Sequence, residues 1–250
     1  MSRFHRTRRV VILGLLVACG SVWGEEMEPR ALTALDQMGA YLRSLQQFRI
    51  DASSHTDQVL ENGQVIEFSH RTRLLARQPD KLHVSVESDG KRRSLFYNGK
   101  HFTLYDSRSG YFASQAAPAS IGGLLDQLSE RYRIELPLAD LFRWHPGTAK
   151  EVGITSALLI GDETLEGKVC THYAYRQPEI DWQLWVRQGP QPLPCRLVIS
   201  RRDTAEQPRH TVNYQWQLNH PPTAREFEFT PPAGARSVPL QQLEPQGEQP

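Results

Sequence analysis

From Phe48 to Val86 the chain alternates apolar and polar residues, and turn signals break the alternation at short intervals. Ile66, Phe68, His70, Thr72 and Leu74 fall on one face of an extended segment. Leu82, Val84 and Val86 alternate with His83, Ser85 and Glu87. Period-two patterning puts successive side chains on opposite faces and fixes these segments as strands rather than helices. Glu61-Asn62-Gly63-Gln64, Pro79-Asp80, Asp89-Gly90 and Asn98-Gly99 mark the turns between them. Two further strands, 93–97 and 102–105, flank the last of these turns. Strands resume at 156–160, 167–176, 181–187, 194–201 and 210–218, with a brief last one at Phe227 and Phe229. The pattern predicts about ten or eleven antiparallel strands in a meander with one face wet.

Two helical passages interrupt this pattern. Leu32, Leu35, Met38, Leu42 and Leu45 recur at steps of three and four, which predicts a helix over 31–47. Pro29 lies just ahead, where a first-turn proline is tolerated. Ile121, Leu124, Leu125, Leu128 and Tyr132 also have helical spacing, and Leu138, Leu141 and Phe142 suggest a short helix after Pro137. A sheet of this size cannot stay flat, because strand twist accumulates. The expected fold is therefore mainly β with helices (α+β). A strongly curved antiparallel sheet, an incomplete barrel, would pack on an N-terminal helix and a mid-chain helical segment that covers or plugs its concave face.

Alternation also assigns an inner face. Phe68, Leu82, Val84, Val86, Phe102, Leu104, Trp182 and Leu184 should look inward and line any cavity. The opposite face carries Glu67, His83, Ser85, Glu87, Thr103 and Gln183, which belong in water. Inward side chains from so many strands cannot all meet across a curved sheet. The helices must fill the gap or leave an apolar pocket.

Residues 1–24 have the layout of a bacterial export signal. Arg3, Arg6, Arg8 and Arg9 precede the apolar run Val10–Cys19, and small residues follow. That run falls well short of the ~20 residues a membrane span needs. Val22-Trp23-Gly24 would permit cleavage before Glu25. Leu16-Val17-Ala18-Cys19 would equally serve as a lipobox, with lipidation at Cys19 and anchoring to the outer membrane. Past residue 24 the chain holds 25 basic and 28 acidic residues, a balance that argues against general nucleic-acid binding. The expected organisation is an export signal at 1–24, one domain at 25–236, and a Pro/Gln/Glu-rich tail at 237–250 too polar to order itself. The expected location is the periplasm, soluble or anchored.

The search for chemistry finds no catalytic motif. There is no His-Glu-x-x-His, no Cys-x-x-Cys, no Gly-x-Ser-x-Gly elbow and no phosphate loop. Cys170 and His172 share a strand face, but two ligands do not make a zinc site, and a thiol nucleophile there would lack an orienting third group. No metal and no cofactor are expected. An oxidising compartment would allow a Cys170–Cys195 disulfide. The register argues against it, since strands two apart lie about twice ~4.8 Å from each other, beyond the ~7 Å a bridge tolerates. A bulge or a different strand order would bring the two within reach.

Several stretches carry a family resemblance. They are Ala31-Leu32-Thr33-Ala34-Leu35 with Met38 and Tyr41-Leu42, Phe96-Tyr97-Asn98-Gly99-Lys100 followed by Thr103-Leu104-Tyr105, and Asp181-Trp182-Gln183-Leu184-Trp185-Val186. Pro192-Leu193-Pro194 and Phe227-Glu228-Phe229-Thr230-Pro231-Pro232-Ala233-Gly234-Ala235 complete the set. Over nearly the whole chain past the signal, the sequence resembles domain-of-unknown-function family 2092, predicted periplasmic proteins. Its arrangement resembles the LolA/LolB/LppX superfamily of lipid and lipoprotein carriers. The resemblance implies an incomplete barrel closed over helices around an apolar cavity. It implies no catalytic residue.

Two readings of function follow. In the first, the chain is an exported, non-catalytic envelope protein that binds an acyl chain, lipid, fatty acid or lipoprotein moiety in the cavity. Burial of methylenes at ~0.8 kcal/mol each would supply affinity without any indispensable polar residue. The alternative is a structural or accessory envelope protein with a filled interior, acting through surface contacts or a lipid anchor.

Overall fold

The computed structural model describes residues 27–242. The chain begins with helix α1, Pro29–Ser44, and then builds six strands: β1 (Gln47–Val59), β2 (Val65–Arg77), β3 (Lys81–Ser88), β4 (Lys91–Tyr97), β5 (His101–Asp106) and β6 (Tyr111–Ala116). Helix α2 (Ile121–Tyr132), a 3-10 turn (Ala139–Phe142) and the short helix α3 (Thr148–Glu151) follow. The second half is β7 (Ser156–Leu165), β8 (Lys168–Arg176), β9 (Ile180–Arg187), β10 (Pro194–Arg201) and β11 (Arg209–Gln217). A two-residue strand β12 (Arg236–Ser237) comes last. The expected export signal at 1–24, with Cys19, lies outside the described residues.

All twelve strands form one curved sheet, ordered β12-β6-β5-β4-β3-β2-β1-β11-β10-β9-β8-β7. Each half is a run of hairpins, and the halves join where β1 pairs antiparallel with β11, from Arg49↔Gln217 to Thr56↔His210. The inner face carries the main core. Phe48, Ile50, Leu74, Leu82, Tyr97 and Phe102 from the sheet meet Leu35, Met38, Leu124 and Leu128 from the helices, all buried. Fully burying such side chains is worth about 1.5–3 kcal/mol each.

Side-chain bonds and one close approach fix the helices on this face. The Tyr175 hydroxyl donates to the Ala31 carbonyl at 2.9 Å, tying β8 to α1. Ser120 caps α2 by accepting from the Gly123 N–H at 3.1 Å. Gly39 of α1 faces the backbone of His145, where an added Cβ would lie 3.0 Å from the carbonyl carbon. The loop into α3 approaches the helix that closely because residue 39 has no side chain.

Three sequence expectations need correcting. The first concerns strands: Tyr111–Ala116 forms β6, which the sequence reading missed, because Phe112-Ala113-Ser114 alternates too weakly to register. Phe227, expected in a strand, closes a 3-10 turn at Ala224–Phe227, with Thr223 and Glu226 forming a capping box. The second concerns the outer face, which is only partly wet. The segment after β11 folds back over it, and Phe229 packs on Phe96, Tyr105 and Phe112 with ring centroids 5.3, 5.4 and 5.1 Å away. His83 stacks on Phe96 at 4.1 Å, and Thr103 is buried against Ser114 at 2.7 Å. The third concerns the tail. Order continues past residue 236: β12 pairs in parallel with β6, the Val238 N–H donates to the Phe112 carbonyl at 2.9 Å, and Leu240 packs against the main core.

Candidate functional site

The helices do not fill the concave face. Between the floor of β3–β6 and the chain at 134–137 lies a cleft of about 680 Å³. The register builds its floor. Val84 on β3 stands opposite Leu95 on β4, Leu95 opposite Leu104 on β5, and Leu104 opposite Ala113 on β6. Val86 continues the floor outward, while Ile134 and Leu136 form the opposite wall. Val238, delivered by the C-terminal segment around the β6 edge, stands at the margin.

Charge is confined to the mouth. Arg93 donates to Asp106 at 3.2 Å. The Asp106 carboxyl is held below its ordinary value first by the Ser109 N–H and then by the Arg108 N–H and Arg93, so it stays ionised. Lys91, Asp89 and Glu135 complete the rim. The site is thus an apolar trough with polar lips, suited to a chain-like apolar group whose polar end stays in water.

The eight residues predicted to face inward share one face of the sheet but not one site. Val84, Val86 and Leu104 line the cleft. Leu82 and Phe102 are fully buried beneath the helices, with Tyr132 of α2 edge-on to Phe102 at 5.9 Å. Phe68 has the right facing, paired with Thr56 on β1, but it lies beyond the helical cover and is 40% exposed. Trp182 and Leu184 belong to the other half of the concave face, under α1 and the 139–144 segment. Sequence reasoning missed Leu95, Ala113, Ile134 and Leu136. Leu95 could have been found, because it is two residues from Tyr97 on a strand already identified.

Between the halves, β1, β2 and β11 contribute a polar strip of Ser54, Thr56, His70 and His210. Thr56 and His210 are hydrogen-bonded at 2.7 Å. Burial, followed by the neighbouring His70, holds His210 below the usual imidazole range.

On the outer face of the second half, Cys170 and Cys195 are joined by a disulfide with Cα atoms 6.7 Å apart. The register argument against that bridge fails at one residue. Pro194 pairs with Val186 and Arg196 with Trp185, which leaves Cys195 as the extra residue of a bulge. Beside the bridge, Trp185 lies between His172, stacked at 3.9 Å, and the Arg196 guanidinium at 5.2 Å, and donates to Glu163 at 2.7 Å. The bridge leaves Cys170 no thiol to act as nucleophile or ligand. Among the described residues no group of three or more His, Cys, Asp or Glu side chains is placed to hold a metal ion. No described helix is long and apolar enough to cross a membrane.

The family described as "Predicted periplasmic protein (DUF2092)" matches residues 31–241, and the chain belongs to that family. No match is found among curated proteins. Among solved structures, the chain is similar to the lipoprotein LppX of Mycobacterium tuberculosis at 12% identity and a TM-score of 0.44, covering 79% of this chain and 100% of that one. It is similar to LprF of Mycobacterium bovis at 12% identity and a TM-score of 0.46, covering 84% and 100%. A LolA superfamily protein of Nitrosomonas europaea is similar at 12% identity and a TM-score of 0.34, covering 77% and 94%.

Proposed function

From that family membership and the shape of the cleft, we propose that the chain is a non-catalytic binding protein of the periplasm that holds an acyl chain of a lipid, fatty acid or lipoprotein. The observation that supports this most is the open trough of about 680 Å³ floored by Val84, Leu95 and Leu104. A filled interior would have favoured the accessory, structural reading instead. Buried methylenes supply affinity at ~0.8 kcal/mol each, so an acyl chain needs no fixed polar partner along its length. The charged lips around Arg93 and Asp106 keep the ligand's polar end in solvent. Protein purified from its native envelope and extracted with organic solvent should yield a chain-bearing lipid near equimolar with protein, identified by mass spectrometry. Extracts indistinguishable from those of an unrelated periplasmic protein would send the chain to the structural class.

A further inference from the structure

The segment after β11 crosses the outer face of the sheet and ends at the cleft, and its two parts are held very differently. The first part, 223–229, is fastened. Arg49 grips both carboxylate oxygens of Glu226, at 2.7 and 2.8 Å. Phe227 is 1% exposed, Asn98 donates to Glu228 at 3.0 Å, and Phe229 lies on the aromatic rings of β4–β6.

The second part, 235–240, hangs on the edge of the sheet. Arg236 and Val238 donate their N–H groups to the Gly110 and Phe112 carbonyls, each at 2.9 Å. The β12 ladder on β6 is two residues long and stops at Pro239, which has no N–H to donate. Side chains 236–239 are exposed, and Leu240 is half-buried against the main core. The two parts meet at a turn around Gly234, whose φ of +80° glycine adopts without strain. A neutral backbone bond is worth little net, because water replaces it when it breaks. So short a ladder, with one apolar contact beyond it, opens far more readily than the domain unfolds.

This weakly held part is also a wall of the cleft. Val238 lines it beside Tyr111 and Ala113 of β6. When 235–240 lifts, the cleft opens sideways over the β6 edge while its floor of Val84, Leu95 and Leu104 stays in place.

We propose that 235–240 is a gate on the cleft. It swings about Gly234 while 223–229 stays fastened, and an acyl chain enters and leaves past it. Leu240 is the latch. This inference rests on reading the cleft as an acyl-chain site.

Two measurements test it. Amide hydrogen exchange, followed by NMR, reads the opening without any ligand. The Arg236 and Val238 amides should exchange at least a hundredfold faster than the hydrogen-bonded amides of β4 and β5. Transfer of a bound fluorescent long-chain fatty acid to acceptor vesicles reads the gating. Tyr111 and Arg236, both exposed, stand opposite each other in the β6–β12 register. Neighbouring strands are ~4.8 Å apart, within reach of a disulfide. The double variant Tyr111→Cys, Arg236→Cys, its bridge confirmed by peptide mass, should release the fatty acid at least tenfold more slowly than the same protein after reduction. The wild type, treated with the same reductant, should keep its rate. Leu240→Ala should speed release about three- to tenfold. Strap amides as slow as those of β4 and β5 would overturn the gate. So would a release rate that either the bridge or Leu240→Ala leaves unchanged. A wild type that takes up no fatty acid would contradict the cleft reading, and the amide exchange alone would then decide whether the strap opens.

Discussion

His83 shows how one side chain can contradict its own pattern. Alternation places it on the outer face, and the outer face is where it lies, yet it is stacked on Phe96 beneath the returning C-terminal segment. Burial, the dominant cause, lowers its pKa to about 4. The unfolded chain, with an ordinary imidazole near ~6.5, then binds more protons than the folded one between those two values. Stability is full above pH 6.5 and falls as pH drops toward 4. Glu226 adds a second loss further down, because its bond to Arg49 lowers its carboxyl to about 2. Thermal melts of His83→Phe, which keeps a stackable ring, should show a shallower decline between pH 6.5 and 4 than the wild type. Identical slopes would mean that His83 is not the group whose protonation matters there. Cys195 gives the same lesson in another form: whether a bridge could form turned on a single extra residue in β10. Nothing in the composition of Pro194-Cys195-Arg196 signals a bulge.

At the scale of elements, what was legible was what repeats. The stripe of α1, the two long hairpin runs and the spacing of α2 were all readable, because each is fixed by a local period that the core then enforces. What was not legible depends on contacts distant in sequence. The segment from Thr223 to Leu240 has no period of its own. It gains its order from Arg49, which holds Glu226 at 2.7 Å, and from the aromatic face of β4–β6, which takes Phe229. The sequence reading put a brief strand at Phe227 and Phe229 and a polar tail from 237; in the structure the whole segment is a strap that rounds the β6 edge and brings Val238 to the cleft. Phe227, fully buried beneath the Arg77 guanidinium at 5.5 Å, anchors it. Phe227→Ala should cost about 3–5 kcal/mol in urea unfolding, the range for deleting a core phenylalanine. A loss under about 1 kcal/mol would show that the strap contributes little to the fold.

At the scale of the whole molecule, the eight residues expected to look inward share one face of the sheet but fall in different places with respect to the helices. Alternation says which way a residue faces. It does not say which helix lies above it. Whether Leu82, Leu104 and Leu184 end in solid core, in the open cleft or under α1 depends on where α1, α2 and the 134–144 chain settle on the sheet. Those segments stop short of covering β3–β6, and the trough that remains is the basis for reading the protein as a carrier. Leu104 is the residue on which to test this, since it lines the trough and is only half-buried. A charge there is poorly tolerated by an acyl chain but need not unfold the core. The direct measurement is equilibrium binding of a fluorescent long-chain fatty acid to the wild type and to Leu104→Asp, with circular dichroism confirming that both are folded. Saturable binding by the wild type that the folded variant loses at least tenfold is the expected result. No saturable binding by the wild type, or equal binding by both, would contradict the account.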